Sequence, residues 1–491
     1  MSESKSESNC LCISDFLAQT LRPGGPTVEA AVGDLRDRLK DREFSDVVDD
    51  EGHQYVDLVL QGGGVLGVAL VGYVYALEQV GIRFLGIAGA SAGAINALLI
   101  AALGFPSQAK SEKLLERLTL LNAVDFLDGD WAAKSLSAAY LRGEGALSIA
   151  PRIILSIRRL FSNFGLHPGQ KFETWLDDVL EDEKVETYAE LKARMSVRPN
   201  GLRLRWEPND EEANRFNSRF PGRLAIVAVD ASTQTKFVFP EMAELITDDA
   251  DDALLSTFVR ASMSIPYVFE PKRMECGRST DDRMRRWKEY GYEAELPKDH
   301  LFVDGGVVSN FPIGIFHATE VVPFAPTFGV RLGVERQASD VSSVGKFSMA
   351  WIDSARQALD LDFLSNNPDY KHLIGTIDVK GFNWLDFNLD REQKLQLFAR
   401  GVEAAIDFLA GPSSGDDGSN QRKGFDWQAY KALREKLAEA ALKSRAMRHP
   451  GSVPVNPPLG ALPNTSKQSP PNPSPHDGRR TGERAERSSA T

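Results

Sequence analysis

A serine in a turn of small residues is the side chain with the clearest chemical potential. The sequence Gly89-Ala-Ser-Ala-Gly93 lies between two apolar runs, 82–87 and 94–103. At a tight strand-to-helix turn the hydroxyl points away from the sheet, and small neighbours let a substrate approach. The N-terminal N–H groups of the helix that follows add the positive end of its dipole. The pattern predicts that Ser91 is a nucleophile; the alternative is a turn that is merely rich in glycine.

A glycine loop precedes this serine by one strand and one helix. Gln61-Gly-Gly-Gly-Val-Leu-Gly67 follows an apolar run and opens a helical pattern. Uncovered backbone N–H groups in such a loop can bind an oxyanion or a phosphate. The loop also fits the G-x-G-x-x-G pattern of nucleotide-binding proteins, but Glu78 lies inside the next helix, whereas a ribose-binding acid belongs after the next strand. An oxyanion hole formed by Gly62, Gly63 and Gly64 is the favoured interpretation.

An aspartate completes the candidate chemistry. Asp304-Gly-Gly306 follows the apolar run 301–303, where a carboxylate at a strand end is well placed to act as a general base. The alternative is a turn-forming Asp-Gly pair. A Ser-His-Asp triad needs histidine, yet none of the seven follows a strand in a comparable glycine-rich turn. The sequence therefore favours a Ser91–Asp304 pair, with a triad through His317 or His372 as the alternative.

These residues need a sheet to bring them together. Apolar periodicity predicts strands over 55–60, 82–87, 223–229, 236–239, 301–303, 327–333 and 374–379. It predicts helices over 28–42, 65–80, 94–103, 254–261, 344–364, 391–409 and 425–447. Strands that alternate with helices indicate an α/β fold with a mostly parallel sheet. Residues 272–300 show no clear periodicity and are predicted to be a polar insertion.

Composition excludes several classes of function. Hydrophobic residues make up 42% of the 491 residues, which is enough for a large core. The net charge of −12 argues against a nucleic-acid partner. The cysteines, Cys10, Cys12 and Cys276, are too few for a disulfide framework or a thiolate zinc cluster. No pattern indicates an oligomeric state.

The sequence also bears on whether the protein is secreted or spans a membrane. Residues 1–19 lack the apolar core of a secretory signal. Residues 84–109 carry no charge, but glycines and a proline interrupt them, which indicates a buried strand and helix rather than a transmembrane span. We therefore expect a cytoplasmic protein without a signal peptide or transmembrane helix.

Changes in composition divide the chain into segments. The predicted segments are a polar N-terminal extension over 1–54, a catalytic domain over 55–411 with its motifs within 55–330, a linker over 412–424, a helix over 425–449 and a disordered proline-rich tail over 450–491.

The order and spacing of these motifs resemble those of the patatin-like phospholipases. The family's G-G-G-x-x-G, G-x-S-x-G and D-G-G/A motifs correspond to Gly62–Gly67, Gly89–Gly93 and Asp304–Gly306. Arg260–Pro266 and Asn310–Pro312 are similar to its R-A-S-x-x-x-P and N-x-P segments. The likeness covers residues 55–330 and continues more weakly to 409.

The resemblance implies a three-layer α/β/α fold and a lipid acyl hydrolase of phospholipase A or lysophospholipase type. It implies that Ser91 attacks the acyl carbonyl, that Asp304 takes its proton and that Gly62, Gly63 and Gly64 hold the oxyanion, without a metal or cofactor. The supporting glycines would be Gly67, Gly89, Gly93, Gly305 and Gly306. Many members have lysine or arginine where this chain has Leu66, which weakens any specific expectation of a phospholipid head group. A neutral-lipid lipase or transacylase on the same dyad, and a non-catalytic nucleotide-binding or scaffold protein, remain as alternatives.

One apolar stripe belongs to none of the strands and helices predicted above. Residues 147–164 carry Arg152, Arg158, Arg159 and Phe161 and contain no acidic residue. A lipid-facing or lid helix would use this pattern for peripheral membrane contact. The favoured alternative is a core helix with solvated arginines.

Overall fold

The computed structural model describes residues 11–119, 123–135, 160–333, 360–411 and 424–448, with the single residues 342, 347, 350 and 354. The predicted tail over 450–491, nearly all of the predicted linker over 412–424 and most of the helix predicted over 344–364 lie outside this part. Residues 360–366 are helical.

The strands and helices largely follow the predicted order. The strands are β1 Val47–Val48, β2 Gln54–Leu60, β3 Ile82–Ala90, β4 Gly165–His167, β5 Arg203–Leu204, β6 Arg223–Asp230, β7 Thr235–Phe239, β8 Tyr267–Phe269, β9 Lys272–Glu275, β10 Asp299–Asp304, β11 Thr327–Gly333 and β12 Ile374–Asp378. The helices are α1 Ile13–Ala18, α2 Val28–Leu39, α3 Gly67–Gln79, α4 Ala92–Ala102, α5 Ser111–Thr119, α6 Gln170–Asp182, α7 Tyr188–Met195, α8 Asp210–Asn217, α9 Leu255–Ser262, α10 Asp281–Glu289, α11 Arg391–Ala410 and α12 Trp427–Arg448.

A central sheet with the order β12-β11-β2-β3-β6-β10-β9 organises the molecule, and helices flank it. The strands from β12 to β6 are parallel to one another, and β10 and β9 continue the sheet in antiparallel fashion. This confirms the expected mostly parallel sheet in a three-layer α/β/α fold. Strands β2 and β3 are buried almost throughout, as expected for strands covered on both faces.

Three strands, β3, β7 and β10, pair with the two edges of β6, and their register sets where β3 and β10 end. Strand β7 pairs with β6 from Ile226 to Asp230 and occupies one whole edge there. Strand β3 pairs in parallel up to Val227, and β10 pairs in antiparallel fashion from Ala228 onward. Because β7 takes the other edge, β3 and β10 lie end to end on the same edge. Their carboxyl ends therefore face each other.

The segment over 272–300, predicted to be a polar insertion without clear periodicity, has regular structure. This segment contains β9 and α10, and the Trp287 side chain is fully buried. The Trp287 indole N–H donates to the Leu245 carbonyl oxygen at 3.0 Å. A helix whose other residues are almost all charged has no apolar stripe, so one buried tryptophan left no periodic signal.

Both ends of the described chain pack onto the same core. Phe16 of α1 lies edge-on to Phe398 of α11, with ring centroids 5.1 Å apart. Near α12, Phe425 packs against Phe328 of β11 at 4.9 Å. Helix α12 is also held by charge, because Arg434 pairs with Asp369 at 3.1 Å and both side chains are at most 3% exposed.

Removal of this buried arginine should be costly. We expect Arg434→Met to lower the free energy of unfolding by about 3–5 kcal/mol, because the Asp369 carboxylate stays buried without its charge partner. The control is Arg445→Met on the same helix, whose pair with Glu320 is partly exposed and should contribute less than about 1 kcal/mol. Urea unfolding measures both. Equal small losses would contradict this account of how α12 is attached.

Candidate active site

Ser91 stands at a sharp turn between β3 and α4. Its backbone has φ 52° and ψ −124°, a left-handed φ that a serine adopts only at a cost, and its side chain is buried. The neighbouring backbone leaves no room for larger residues: a Cβ on Gly89 would lie 2.3 Å from the Gly93 carbonyl, and one on Gly93 would lie 2.2 Å from the Leu60 oxygen. The strained turn at the sheet edge is the geometry expected of a nucleophile elbow.

Asp304 lies opposite this turn on the shared edge of β6. It is paired with Ala228, while Ala90, the residue before Ser91, is paired with the adjacent Val227. Consecutive strand residues are about 3.3 Å apart along the strand. The structure thus brings the Ser91 turn and the Asp304 strand end together, although they are far apart in sequence.

Backbone bonds hold the Asp304 carboxylate at this position. Its Oδ1 accepts the Gly306 N–H at 2.6 Å, and its own N–H donates to the Ser264 carbonyl at 2.9 Å. A Cβ on Gly305 would lie 2.0 Å from the Val227 oxygen, so only glycine fits between Asp304 and β6. The predicted support from Gly305 and Gly306 therefore has a physical basis.

The glycine loop lies against the elbow, but its three N–H groups are not equivalent. The Gly62 N–H donates to the Asn310 carbonyl at 2.9 Å, and the Asn310 side-chain amide donates back to the Gly62 oxygen at 3.0 Å. Among the described residues, the N–H groups of Gly63 and Gly64 meet no acceptor. Of the three N–H groups predicted to hold an oxyanion, that of Gly62 is therefore already bonded within the protein.

Gly62 and Gly67 serve close packing instead. A Cβ on Gly62 would lie 3.1 Å from the Ser91 Cβ and 2.4 Å from the Asn310 Oδ1. A Cβ on Gly67, where α3 begins, would lie 3.1 Å from the Asn96 amide nitrogen. Leu66, which stands where many members of the resembled family have lysine or arginine, is a buried part of the core.

Ser262 is a site residue that sequence reasoning missed. Its hydroxyl accepts the Ser91 backbone N–H at 2.9 Å and donates to the Val227 carbonyl at 2.6 Å. It therefore ties the elbow to β6 at the junction with β10. Its helix, α9, also carries buried Arg260, which donates to the Ser264 hydroxyl and to the Glu270 carbonyl. The likeness of Arg260–Pro266 to a family segment was the available signal, but nothing in it distinguished one serine.

A cavity opens at Ser91. Its lining is almost entirely apolar and aromatic, and Asn96 and Lys394 are its polar members besides Ser91. Burial lowers the pKa of Lys394. The apolar lining residues are Val65, Val68, Ala92, Ile95, Leu118, Ala123, Phe126, Phe172, Trp175, Met263, Ile265, Phe269, Phe387 and Leu389. A chain of hydrocarbon fits such a lining better than a nucleotide.

One wall of this cavity comes from the loop between β12 and α11. The Trp384 carbonyl accepts the Val65 N–H at 3.1 Å, next to the glycine loop. A Cβ on Gly64, whose φ is +53°, would lie 2.1 Å from that same oxygen. Phe387 packs edge-on to Phe269 at 6.2 Å between ring centroids. The loop therefore supports the glycine loop and narrows the cavity.

Histidine is absent from the described lining of this cavity. His317 is bonded to the Tyr370 hydroxyl at 2.9 Å, and burial together with the Arg434 charge lowers its pKa to about 4. The Glu78 carboxylate accepts the N–H groups of Lys110 and Ser111, so it caps α5 instead of facing a ligand loop. His317 and Glu78 are therefore engaged by contacts outside the described lining of this cavity.

The proposed lipid contact lies largely outside the described residues, which contain Phe161 but not Arg152, Arg158 or Arg159. The Phe161 side chain is 76% exposed. In the described part of the chain no helix is long and apolar enough to cross a membrane. The same part contains no group of three or more His, Cys, Asp or Glu side chains able to hold a metal ion.

Removal of the Ser262 hydroxyl should loosen the elbow. We expect Ser262→Ala to lower the free energy of unfolding by about 1–3 kcal/mol, because the Val227 carbonyl and the Ser91 N–H both lose a buried partner. Reaction of Ser91 with a fluorophosphonate should slow. Ser256→Ala is the control, since Ser256 is an equally buried serine on α9 whose hydroxyl makes no bond to the elbow. Equal effects of the two substitutions would contradict a specific role for Ser262.

Several known proteins are similar to this chain. A Bacillus subtilis (strain 168) relative, the uncharacterized protein YqhO, is 27% identical over 358 residues, which cover 72% of this chain and 98% of the relative. Among solved structures, VipD from Legionella pneumophila aligns with 74% of this chain and 70% of its own at 15% identity and a TM-score of 0.30. The ExoU–SpcU complex from the Pseudomonas aeruginosa type III secretion system aligns with 80% of this chain and 59% of its own at 13% identity and a TM-score of 0.27. Both scores are low, so the fold assignment rests on the sheet topology.

The family assignment rests on a match to a family model. Residues 58–317, more than half of the 491, match the family model of the patatin-like phospholipases. This range contains the glycine loop, the elbow and Asp304. The chain belongs to the patatin-like phospholipase family.

Proposed function

We propose that this protein is a lipid acyl hydrolase of phospholipase A or lysophospholipase type that uses a Ser91–Asp304 dyad within a catalytic domain over 55–411. The observation that carries the proposal is the shared edge of β6, which brings the elbow and the aspartate to one point. The apolar cavity at Ser91 supports an acyl substrate.

In the acylation step the Ser91 oxygen attacks the ester carbonyl carbon, and the Asp304 carboxylate takes the hydroxyl proton. The proton then passes to the leaving alcohol as the carbon–oxygen bond breaks, which leaves an acyl-serine. Water attacks this acyl-serine in the second step, with Asp304 again accepting and returning the proton. The products are a free acid and an alcohol, and no metal or cofactor takes part.

The tetrahedral oxyanion would be held by the N–H groups of Gly63 and Gly64. They lie beside the elbow and meet no acceptor among the described residues. Loss of one such donor costs about 3–4 kcal/mol of activation free energy. Gly62 would contribute by its contact with Ser91 and Asn310, which sets the position of its neighbours.

Two parts of the protein would contact the lipid substrate or its membrane. The cavity would hold the acyl chain, and residues 147–164 would form a peripheral membrane contact in a cytoplasmic enzyme. The exposed Phe161 supports the second part. Because Leu66 stands where many family members have a cation, a neutral-lipid lipase or a transacylase on the same dyad is the second candidate. Hydrolysis of a panel of lipid substrates distinguishes it from a phospholipase.

The dyad makes a direct prediction. Ser91→Ala and Asp304→Asn should each lower kcat by at least about a thousandfold, because nucleophile and base act as one unit. The assay is hydrolysis of a panel of phospholipids, lysophospholipids and glycerides, with thermal unfolding as the check on folding. His317→Ala is the control and should retain activity. Full activity of either dyad variant would overturn the dyad, and a comparable loss of activity in His317→Ala would favour a triad.

The cavity wall makes a second prediction. Phe387→Ala should move the preferred acyl chain to greater length, since removal of the ring enlarges the cavity and a methylene in an apolar pocket is worth about 10-fold or more in kcat/KM. Phe382→Ala is the matched control, because Phe382 belongs to the same loop but packs on Arg400 and not on the cavity. Esters of graded chain length measure the shift. An unchanged optimum would show that this wall does not contact the substrate.

A further inference from the structure

Asp360 lies outside the catalytic motifs, and both of its carboxylate oxygens accept hydrogen bonds from one turn, residues 309–311. Its Oδ1 accepts the Ser309 hydroxyl at 2.9 Å, and its Oδ2 accepts the Phe311 N–H at 2.8 Å. This turn follows Asp304-Gly-Gly306 directly, and Ser309 and Asn310 are buried. Asp360 therefore holds the segment that leaves the Asp304 strand end.

The turn in turn holds the glycine loop. Asn310, the residue between the two donors, makes a reciprocal pair of hydrogen bonds with Gly62, at 2.9 and 3.0 Å. Gly62 lies so close to the elbow that a Cβ on it would be 3.1 Å from the Ser91 Cβ. Hydrogen bonds thus connect the Asp360 carboxylate through the 309–311 turn to Gly62, which lies next to Ser91.

The ionised carboxylate is costly at this place. Burial raises the pKa of Asp360 to about 6, and the bonds from Ser309 and Phe311 and the positive charge of Lys236 on β7 offset that rise only in part. An acid whose pKa is higher in the folded state subtracts stability as pH rises from its ordinary pKa to the raised one. A residue kept only for stability would not be expected to carry this cost.

We propose that Asp360 is a positioning residue that fixes Asn310, and through it Gly62, so that the Gly63 and Gly64 N–H groups stand correctly beside Ser91. This proposal rests on the proposed function and deepens it, because it names the group that keeps the oxyanion donors in register. It also makes turnover depend on the ionisation of a side chain that touches neither substrate nor nucleophile.

The pH dependence follows from the sign of that ionisation. Below pH 6 Asp360 is largely protonated and loses acceptor strength, so the turn is held less firmly. Asp360→Asn imitates the neutral form at every pH. Protonation of groups other than residue 360 occurs in both proteins and cancels in their ratio. The kcat ratio of wild type to Asp360→Asn should therefore fall as pH falls through 6.

The test measures kcat and KM for a water-soluble p-nitrophenyl ester from pH 5 to pH 8, together with thermal unfolding. At pH 8 we expect Asp360→Asn to lower kcat about tenfold and Asp360→Ala about 100-fold, with KM little changed, since a displaced site loses rate rather than binding. At pH 5 wild type and Asp360→Asn should converge. Asp362→Asn, an exposed aspartate two residues away, is the control and should behave as wild type.

Two further variants keep the outcome decisive. If Asp360→Ala fails to fold, Asp360→Asn and Ser309→Ala, which removes one of the two donors, decide the question. A wild-type kcat for Asp360→Asn across the pH range would overturn the proposal, as would a lowered melting temperature without a change in kcat. Absence of Ser91-dependent turnover in the wild type would overturn the proposed function itself, which is a separate result.

Discussion

The site depends on one constraint, the sharing of a single edge of β6 by two strands that run in opposite directions. Strand β7 occupies the other edge, so β3 and β10 meet end to end, with Ala90 opposite Val227 and Asp304 opposite Ala228. The serine and the aspartate need no long loop to find each other. The backbone ladder of the sheet, which costs far more to shift than a side chain, sets their separation.

Several buried polar groups protect this junction. The Ser262 hydroxyl bonds both the elbow and β6, and Asn310 bonds the glycine loop through its backbone and its side chain. Each of these groups would be costly to leave unpaired in a buried site. The positive φ of Ser91 is maintained by the same surroundings. The same buried contacts thus maintain both the strained backbone of Ser91 and the hydrogen bonds of the junction.

Much of this could be predicted from the sequence, because glycine runs and apolar runs are local signals. The elbow, the glycine loop, Asp304 and the parallel sheet were all recognisable in that way. Ser262 and the Asn310 bond to Gly62 were not, since each depends on contacts between residues that are distant along the chain. The inequality of the three glycine N–H groups follows from such a contact as well. Helix α10 was not predicted because its single buried tryptophan produces no apolar periodicity.

The most direct test of the central claim, that the β6 edge makes Ser91 and Asp304 one catalytic unit, is a double-mutant cycle on kcat. Two residues that act in the same step give losses that do not add in free energy. The variant with both Ser91→Ala and Asp304→Asn should be no slower than Ser91→Ala alone. If the two losses instead multiply, the residues act independently and the shared edge does not have the role assigned to it.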